Sequence, residues 1–387
     1  MPAREPLPVV LWPLLFGNFV IGTGVMAVPG TLDQISRDLA VSVSTAGQLI
    51  SAGALLMCLG APLLASLVAG WDRRRLLSFS VLWYAVLHLA CAFAPTFGWL
   101  LALRVLALVP PAIFTPQAAA SLGLLVPLGQ RGRAITFIFL GWSLASVIGM
   151  PLSALVGGTL GWRSAMVVVA GLAVLGAAWV WRALPPGVKP PALSLAAWRE
   201  TVRSHALMTA VGVTVLSAAG QFVLFSYMAP YLRQTLGLAP GALSFYFLCF
   251  GAFGLAGNVL MTRHIDRLGA GRAVMIGLSL MASSLLIFPL GVSLPLAVLV
   301  AVPWALGCFS SNSAQQARLV GMAPALASAS VALNSSAMYA GQAIGAATGG
   351  WLIARGSMDA LHWAGVAGLL AAMGASALAS WFAVGKR

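Results

Sequence analysis

The sequence predicts an all-α membrane protein with twelve transmembrane helices, arranged as two pseudo-symmetric six-helix bundles with both termini in the cytoplasm. Three observations lead to this fold class: an apolar composition, long charge-free stretches and a one-sided distribution of Lys and Arg. Of the 387 residues, 60% are hydrophobic and only 7% are charged, whereas a soluble domain carries about 25% charged residues. We therefore expect lipid to be the main solvent of this chain.

The charge-free stretches account for the number of spans, because about 20 apolar residues cross the bilayer core as a helix. The stretches are 6–32, 39–71, 76–103, 105–130, 134–162, 164–181, 204–232, 234–262, 273–317, 319–354 and 360–385. The stretch 273–317 suits two spans, since "PLGVSLP" at 289–295 supplies a turn between them. A further turn at "APTFG", 94–98, separates the third span from the fourth. The total is twelve.

The basic residues indicate the orientation of these spans. Of the 21 Lys and Arg, 16 fall on the side of the N-terminus, four fall on the opposite side, and Arg104 lies within a span. This bias follows the positive-inside rule, which places both termini in the cytoplasm. The net charge of +14 is thus an orientation signal and does not indicate a nucleic-acid partner.

The longest polar interval, 183–205, divides the spans six and six. Its Pro-rich start cannot continue a helix, and "LSLAAWRETV" within it fits a short amphipathic helix on the cytoplasmic surface. We expect an N-terminal bundle at 1–182, a cytoplasmic linker at 183–205 and a C-terminal bundle at 206–387. Small residues recur at every fourth position of 141–161 and, 196 residues later, of 337–349. Such internal repeats are typical of transporters whose two halves rock about a central site.

The small residues of span 5, "GWSLASVIGMPLSALVGG" at 141–158, leave two interpretations open. Residues four apart share a helix face, so another backbone can approach closely along that face. The contact is either ordinary helix packing or a dry contact between spans 5 and 11 that closes the transport pathway on one side. Pro151 adds a local break, which a membrane helix tolerates when neighbouring groups bind the freed carbonyl.

The same segment, extended to "GTLGWR", resembles the span-5 antiporter signature of the drug:proton antiporters, bacterial efflux carriers of drugs, sugars or nucleosides within the major facilitator superfamily. The matching residues are Gly141, Gly149, Pro151, Gly157, Gly158, Gly161, Trp162 and Arg163. "LLALRVL" resembles the span-4 motif of that group through Arg104, "GQFVLFSYMAPYL" is similar to its span 7, and 37–56 to its first loop and span 2. The resemblance implies the superfamily fold and export by secondary active transport, and it implies no cofactor.

Two basic loops are also similar to the family pattern. In the family, the loop between spans 2 and 3 clasps helix ends of the opposite bundle in one conformation. The gating residues that the resemblance implies are Asp72, Arg73 and Arg74 in this loop and Asp266, Arg267 and Gly269 in the loop after span 8. The first loop departs from the pattern, because its usual first aspartate is missing or displaced. The alternative is that Arg73–Arg75 only anchor the inner membrane boundary.

The acidic residues offer no obvious site for proton coupling. They are Glu5, Asp33, Asp38, Asp72, Glu200, Asp266 and Asp359, all in predicted loops or at membrane boundaries. Related exporters of sugars and nucleosides often carry a glutamate in span 1 where this chain has Val25. Proton relays usually use an intramembrane carboxylate or histidine, which leaves Asp33, at the outer end of span 1, and His88, in span 3. The simpler interpretations are a solvated loop residue for Asp33 and a hydrogen bond between helices for His88. The third hypothesis is transport without proton coupling.

Arg104 stands alone as a charged residue well within a predicted span. A charge at the bilayer centre costs about 2.5–3.5 kcal/mol on insertion scales, so it should face a cavity or a partner; snorkelling to the outer interface is the alternative. We expect carbonyls, amides, water or an anionic substrate group as its partners.

Further cavity candidates are polar and aromatic residues of spans 1, 4, 5, 7, 10 and 11: Asn18, Gln117, Trp142, Gln221, Tyr227, Trp304, Asn312, Asn334, Tyr339 and Gln342. Amides and aromatic rings in an apolar pocket suit a small uncharged or amphipathic ligand.

These features together predict a carrier of the bacterial inner membrane that exports a small organic molecule by alternating access, with protons as the exchanged ion. The alternatives are an uncoupled facilitator and a membrane receptor without flux. The four cysteines lie in predicted spans without metal-like spacing, and no nucleophile, acid or metal set indicates an enzyme. We expect no metal, no cofactor and no nucleic acid, with the lipid bilayer as surroundings and a monomeric state.

Overall fold

The computed structural model describes residues 8–68, 70–127, 130–189 and 195–384. Throughout these residues the regular structure is helical. The helices are α1 Leu11–Asp38, α2 Val43–Leu67, α3 Arg73–Ala92, α4 Phe97–Ala107, α5 Val109–Leu125, α6 Arg131–Leu144, α7 Met150–Leu160, α8 Trp162–Ala183, α9 Leu195–Arg203, α10 His205–Phe225, α11 Met228–Leu236, α12 Pro240–Leu268, α13 Ala270–Leu286, α14 Leu294–Met322, α15 Ala327–Ala354 and α16 Leu361–Val384. Short 3-10 turns precede α14, α15 and α16. We refer to residues before 183 and after 205 as the N-terminal and C-terminal halves.

Ten helical segments in the described residues are long and apolar enough to cross a membrane. Two further segments correspond to predicted spans: α13, an apolar helix of 17 residues, and α15, a helix of 28 residues rich in Ser, Gly and amide side chains. The structure thus confirms an all-helical membrane protein. The number twelve remains a prediction that requires α13 and α15 to cross as well, and the cytoplasmic placement of the termini also remains a prediction.

Proline residues interrupt two of the spans. The fourth span divides at Leu108 into α4 and α5, just before Pro110 and Pro111, whose rings cannot donate backbone hydrogen bonds. The fifth span contains a π-helical turn, Ala145–Gly149, between α6 and α7. This wider turn immediately precedes Pro151 and supplies the local break expected there, because i→i+5 bonds replace part of the regular ladder.

The small-residue faces lie inside each half. A Cβ on Gly141 would overlap the carbonyl oxygen of Leu15 in α1, and Gly149 and Gly157 likewise contact Thr23 and Thr31 of α1. The C-terminal half repeats this arrangement with α15 and α10. There Gly341, Gly345 and Gly349 lie against the carbonyl oxygens of Val215, Ala219 and Val223. In each half the small residues allow two backbones to touch.

The two halves meet through other helices than those we expected. The α2 helix packs along α15, and α12 packs along the π-helical turn and α7. Of the two interpretations of the small residues, the structure therefore favours ordinary helix packing over a contact between spans 5 and 11, because each of these spans directs its small residues toward span 1 or span 7 of its own half. Gly251 of α12 provides a close approach between the halves, since a Cβ there would overlap the Ser146 carbonyl of the π-helical turn.

Candidate functional site

Arg104 lies in α4 and is enclosed within the N-terminal half, with 2% of its surface exposed. Its Nη2 atom donates to the Gly24 carbonyl at 2.8 Å and to the Val25 carbonyl at 3.3 Å, both in α1. Its Nη1 atom lies 3.0 Å from Nε2 of His88 in α3. The guanidinium therefore ties three helices together through neutral acceptors, which agrees with the expectation of carbonyl partners.

Pro29 explains why α1 offers a carbonyl to this arginine. A proline inside a helix lacks the N–H that would bind the carbonyl four residues earlier, and Pro29 lies inside α1. The freed carbonyl is that of Val25, which Arg104 binds. An unpaired carbonyl in a membrane costs several kcal/mol, so Arg104 compensates for the proline.

The hydrogen bonds of His88 determine its tautomer. The Nδ1 atom lies 2.9 Å from the Tyr84 carbonyl oxygen, and since a carbonyl only accepts, Nδ1 carries the proton. Nε2 is then the acceptor for Arg104, which is the arrangement of a neutral imidazole. The Tyr84 ring packs at 4.1 Å from the His88 ring, and its hydroxyl donates to the Ile21 carbonyl at 2.9 Å. The cluster therefore carries one positive charge, on Arg104.

The C-terminal half repeats this geometry without the charge. Ser284 and Val300 stand 196 residues after His88 and Arg104, and the hydroxyl of Ser284 donates to the Val300 carbonyl at 2.6 Å. Both pairs join the third and fourth spans of their half across 16 residues. The repeat thus preserves the position of a contact between two helices, while only the N-terminal copy includes a charged side chain.

A second polar cluster links the two halves, and we call it the closed end: Asp33 and Ser44 of the N-terminal half with Arg233 and Gly350 of the C-terminal half. Asp33 is 4% exposed and pairs with Arg233 at 2.7 Å and with Arg37 at 2.8 Å. The hydroxyl of Ser44 donates to the Gly350 carbonyl at 2.7 Å. These contacts hold the halves together at the ends of α1 and α11.

Two neighbouring contacts support the closed end. Tyr227, between α10 and α11, donates its hydroxyl to the Ala346 carbonyl at 2.7 Å, and a Cβ on Gly47 of α2 would overlap that hydroxyl. Ser244 of α12 donates to the Pro151 carbonyl at 2.9 Å. Tyr227, a cavity candidate from the sequence, therefore lies where the halves are joined.

A small polar cavity of about 20 Å³ lies among α10, α13, α14 and α15, and we call it the polar niche. Its lining residues are Val213, Thr214, Ser217, Gln221, Val274, Leu278, Cys308, Ser311, Asn312, Gln315 and Met338. Asn334 borders it, because its Oδ1 accepts a hydrogen bond from the Thr214 hydroxyl. The niche brings together three of the predicted cavity amides: Gln221, Asn312 and Asn334.

The other cavity candidates lie in several places. Asn18 accepts from the Thr115 hydroxyl at 2.7 Å and donates to the Ile138 carbonyl at 3.0 Å, while Trp142 donates to Thr115 at 3.3 Å. The ring of Trp304 is buried among Phe225, Phe250 and Phe288. Tyr339 of α15 packs on Met57, Leu108 and Ala112 of the N-terminal half. Gln117 and Gln342 are buried in α5 and α15.

The loop before α3 contacts the start of the linker. Asp72 caps α3 and accepts the Gly187 backbone N–H. Arg73 is buried and donates to the Val68 and Trp71 carbonyls at 3.1 and 2.8 Å, while Arg74 donates to the Trp181 carbonyl at 2.7 Å. In this conformation the loop therefore holds the end of α8 and the linker, within its own half.

In the second loop, Gly269 joins α12 to α13 with φ +79°, a conformation that favours glycine. Arg267 lies at the end of α12. The side chain of Asp266, which the resemblance paired with them, lies outside the described residues. A gating role for either loop remains a prediction.

The family follows from a direct comparison. The model of the Major Facilitator Superfamily matches residues 14–325 and 210–387. The chain belongs to this superfamily. It is a transporter of small molecules and a multi-pass protein of the bacterial inner membrane, and it is not an enzyme.

Individual relatives of this superfamily carrier include proteins named for chloramphenicol resistance and chloramphenicol efflux. A chloramphenicol resistance protein of Streptomyces lividans is 33% identical over 67% of this chain and 68% of its own. A chloramphenicol efflux pump of Mycobacterium tuberculosis (strain H37Rv) is 34% identical over 67% of this chain and 63% of its own. An uncharacterized MFS-type transporter of Bacillus subtilis is 27% identical over 93% of both chains.

Solved structures support the superfamily fold. A bacterial homologue of the human lysosomal transporter Spinster, in its inward-facing and unoccupied conformation, has a TM-score of 0.81 at 18% identity over 98% of both chains. A D-xylose–proton symporter has a TM-score of 0.76 at 17% identity over 94% of this chain and 95% of its own.

Sequence reasoning missed the two pairings that organise the carrier. It named Arg104, His88 and Asp33, but it did not join Arg104 to His88 or Asp33 to Arg233. Both pairings depend on the rotation of helices around their axes, which hydropathy does not report. Two signals in the sequence point to these pairings. Pro29 frees a carbonyl in span 1 that a donor must bind, and Arg37 and Arg233 are separated by 196 residues, the offset between the two halves.

Proposed function

We propose that this carrier exports a small, uncharged organic compound in exchange for protons, by alternating access between two six-helix bundles. The proposal includes twelve spans, the bundles 1–182 and 206–387 joined by the linker 183–205, cytoplasmic termini and a monomeric unit. Its support comes from two relatives, a chloramphenicol resistance protein and a chloramphenicol efflux pump, together with the sidedness of the basic loops.

The closed end is the observation that carries this proposal. It joins the halves through an ion pair and a hydrogen bond, whereas the small-residue faces of α7 and α15 pack against α1 and α10 of their own halves. A polar contact between halves can break and re-form in water, while the dry packing of α1 on α7 and of α10 on α15 persists. With the N-terminus in the cytoplasm, as we propose, the closed end faces outward.

Asp33 is our candidate for the coupling of protons to this movement. Its carboxylate binds Arg233 across the halves. Protonation would remove the charge attraction and release the C-terminal half, which opens the carrier outward when the external proton concentration is high. When the halves close and Asp33 pairs with Arg233 again, its carboxyl group must lose the proton, and exchange requires that this proton leaves to the cytoplasm. His88 is the second candidate, because its Nε2 is the acceptor for Arg104.

A flux measurement on the purified carrier in vesicles tests this proposal. We expect chloramphenicol to accumulate on the side with the higher proton concentration, and we expect Asp33→Asn to keep equilibrative flux while losing the response to the gradient. A wild-type flux that ignores the gradient would indicate an uncoupled facilitator. Ligand binding without any flux would indicate a receptor.

A further inference from the structure

The polar niche contains hydrogen-bonding atoms that the surrounding protein leaves without partners. Within the described part of the chain, Oδ1 of Asn312, Oε1 of Gln315 and Nδ2 of Asn334 are buried and make no hydrogen bond. The opposite ends of two of these amides are fixed. Gln315 donates from Nε2 to the Ala210 carbonyl, and Asn334 accepts from Thr214. The unpaired atoms therefore cannot simply rotate away.

The equivalent place in the N-terminal half is satisfied. Asn18 and Ile138 are 120 residues apart, as are Thr214 and Asn334, and each pair is hydrogen-bonded. In the N-terminal half Asn18 uses both ends of its amide, because it also accepts from Thr115. The C-terminal half thus carries the same helix contact with an unused donor and two unused acceptors nearby. An unpaired buried polar atom costs about 1–3 kcal/mol, so a partner should occupy the niche during the transport cycle.

The chemistry of the lining residues selects the partner. The free amide donor of Asn334 requires an acceptor, and the two free oxygens require a donor; a hydroxyl group supplies one acceptor and one donor, so it pairs with Asn334 and with one of the two oxygens at a time. None of the lining residues is acidic, and Arg318 lies three residues after Gln315, where it binds Ser376 and Ser380. A cation would enter such a site without a counter-charge, at a high desolvation cost. A neutral hydroxyl group needs no counter-charge, and it joins Asn334 to one of the two amide oxygens.

The size of the niche limits how much of a ligand can enter it. Its volume of about 20 Å³ exceeds the ~10–15 Å³ that one water-sized group needs and excludes a ring. The remainder of the ligand must lie outside, near Gln221 and Met338, which border the niche. We propose that the niche is the specificity subsite of this carrier and receives one neutral, terminal hydroxyl group of the transported compound. This inference rests on the proposed export of small uncharged compounds.

A matched pair of compounds tests the subsite. Thiamphenicol and florfenicol differ only in that fluorine replaces the primary hydroxyl, so florfenicol cannot donate a hydrogen bond there. For the full-length wild-type carrier in nanodiscs we expect a dissociation constant for thiamphenicol that is about tenfold lower than for florfenicol. Asn312→Leu and Gln315→Met should each reduce this preference, and the double variant should remove it, mainly by weakening the binding of thiamphenicol. Ser310→Ala is the control on the same helix, since its hydroxyl binds only the Leu306 and Gly307 carbonyls.

Equal binding of the two compounds by the wild-type carrier would overturn the subsite. A preference for thiamphenicol that both variants retain in full would overturn it as well. Either result would leave the proposed export intact. Binding of neither compound would instead refute phenicol export. The stability of the ligand-free protein then decides the subsite. If Asn312→Leu raises or preserves the melting temperature, the acceptor is unpaired in the free carrier, as the proposal requires. If the substitution lowers it relative to Ser310→Ala, a resident water fills the niche and the proposal is wrong.

Discussion

Arg104 shows how one charged side chain is accommodated inside a membrane carrier. The cost of burial is offset by hydrogen bonds to two carbonyls of α1 and to a neutral His88. Hydrogen bonds from a charged donor contribute about 1.5–3 kcal/mol each. These contacts give the residue a role in stability, and its role in transport is a prediction that mutagenesis must test separately.

Arg104→Ala should abolish transport while the protein still reaches the membrane. The change leaves the carbonyls of Gly24 and Val25 and the Nε2 atom of His88 without their donor. We expect chloramphenicol efflux to fall more than about tenfold, measured in vesicles that contain equal amounts of protein. Normal efflux by a correctly inserted variant would contradict a role for this arginine.

Pro29→Ala provides a thermodynamic test of the same cluster. The new alanine N–H can bind the Val25 carbonyl, so this carbonyl depends less on Arg104. In a double-mutant cycle followed by melting temperature, Arg104→Ala should cost less in the Pro29→Ala background, with a coupling of about 0.5–3 kcal/mol. Strictly additive losses would show that the proline and the arginine act independently.

At the scale of helices, the small-residue faces determine how α1 meets α7 and how α10 meets α15. These contacts bring backbone atoms together, so a single added methyl group has no space to occupy. The small-residue face was the feature that the sequence predicted most directly, because a four-residue spacing places side chains on one side of any helix. The spacing does not show which neighbouring helix that face contacts.

Gly345→Ala should destabilise the C-terminal half, because a Cβ there would overlap the Ala219 carbonyl oxygen. Overpacking of this kind costs about 1–3 kcal/mol, which should lower the melting temperature in detergent by several degrees. Gly171→Ala in α8 is the matched control, since a Cβ at Gly171 meets no atom within 4 Å. Similar melting temperatures for the two variants would argue against close packing of α15 on α10.

At the scale of the whole molecule, the two halves are joined differently from the way each half is packed. The closed end uses an ion pair and hydrogen bonds, whereas the small-residue faces pack within each half. Apolar contacts also join the halves, as where Tyr339 packs on Met57 and Leu108, but the polar contacts of the closed end are the ones that water can replace, so we expect the halves to separate there.

Cross-linking across the closed end should therefore stop transport. With the four native cysteines replaced, Ser44→Cys combined with Gly350→Cys places thiols where a Cβ on Gly350 lies 3.5 Å from Ser44 Oγ. We expect oxidation to reduce efflux to background and a reductant to restore it. A Ser42→Cys and Thr45→Cys pair, within one half at the start of α2, should transport whether oxidised or reduced. Efflux by the fully cross-linked closed-end variant would refute opening at this end.

Much of the fold could be predicted because its causes are local. Hydropathy determines where helices cross, and the positions of Arg and Lys indicate their direction. Small residues mark the faces that pack closely. These properties belong to short segments and need no knowledge of neighbouring helices, so the amino-acid sequence alone was enough to name Gly141, Pro151 and Arg104.

The candidate site was predictable only as a set of residue types. Hydropathy could name Arg104, His88, Asp33 and Asn312, but their partners depend on how each helix is rotated and how deeply it sits, and that is decided by the packing of the entire chain. Tertiary structure alone joined Arg104 to His88, joined Asp33 to Arg233, and left the amide oxygen of Asn312 without a partner in a cavity wide enough for one hydroxyl group.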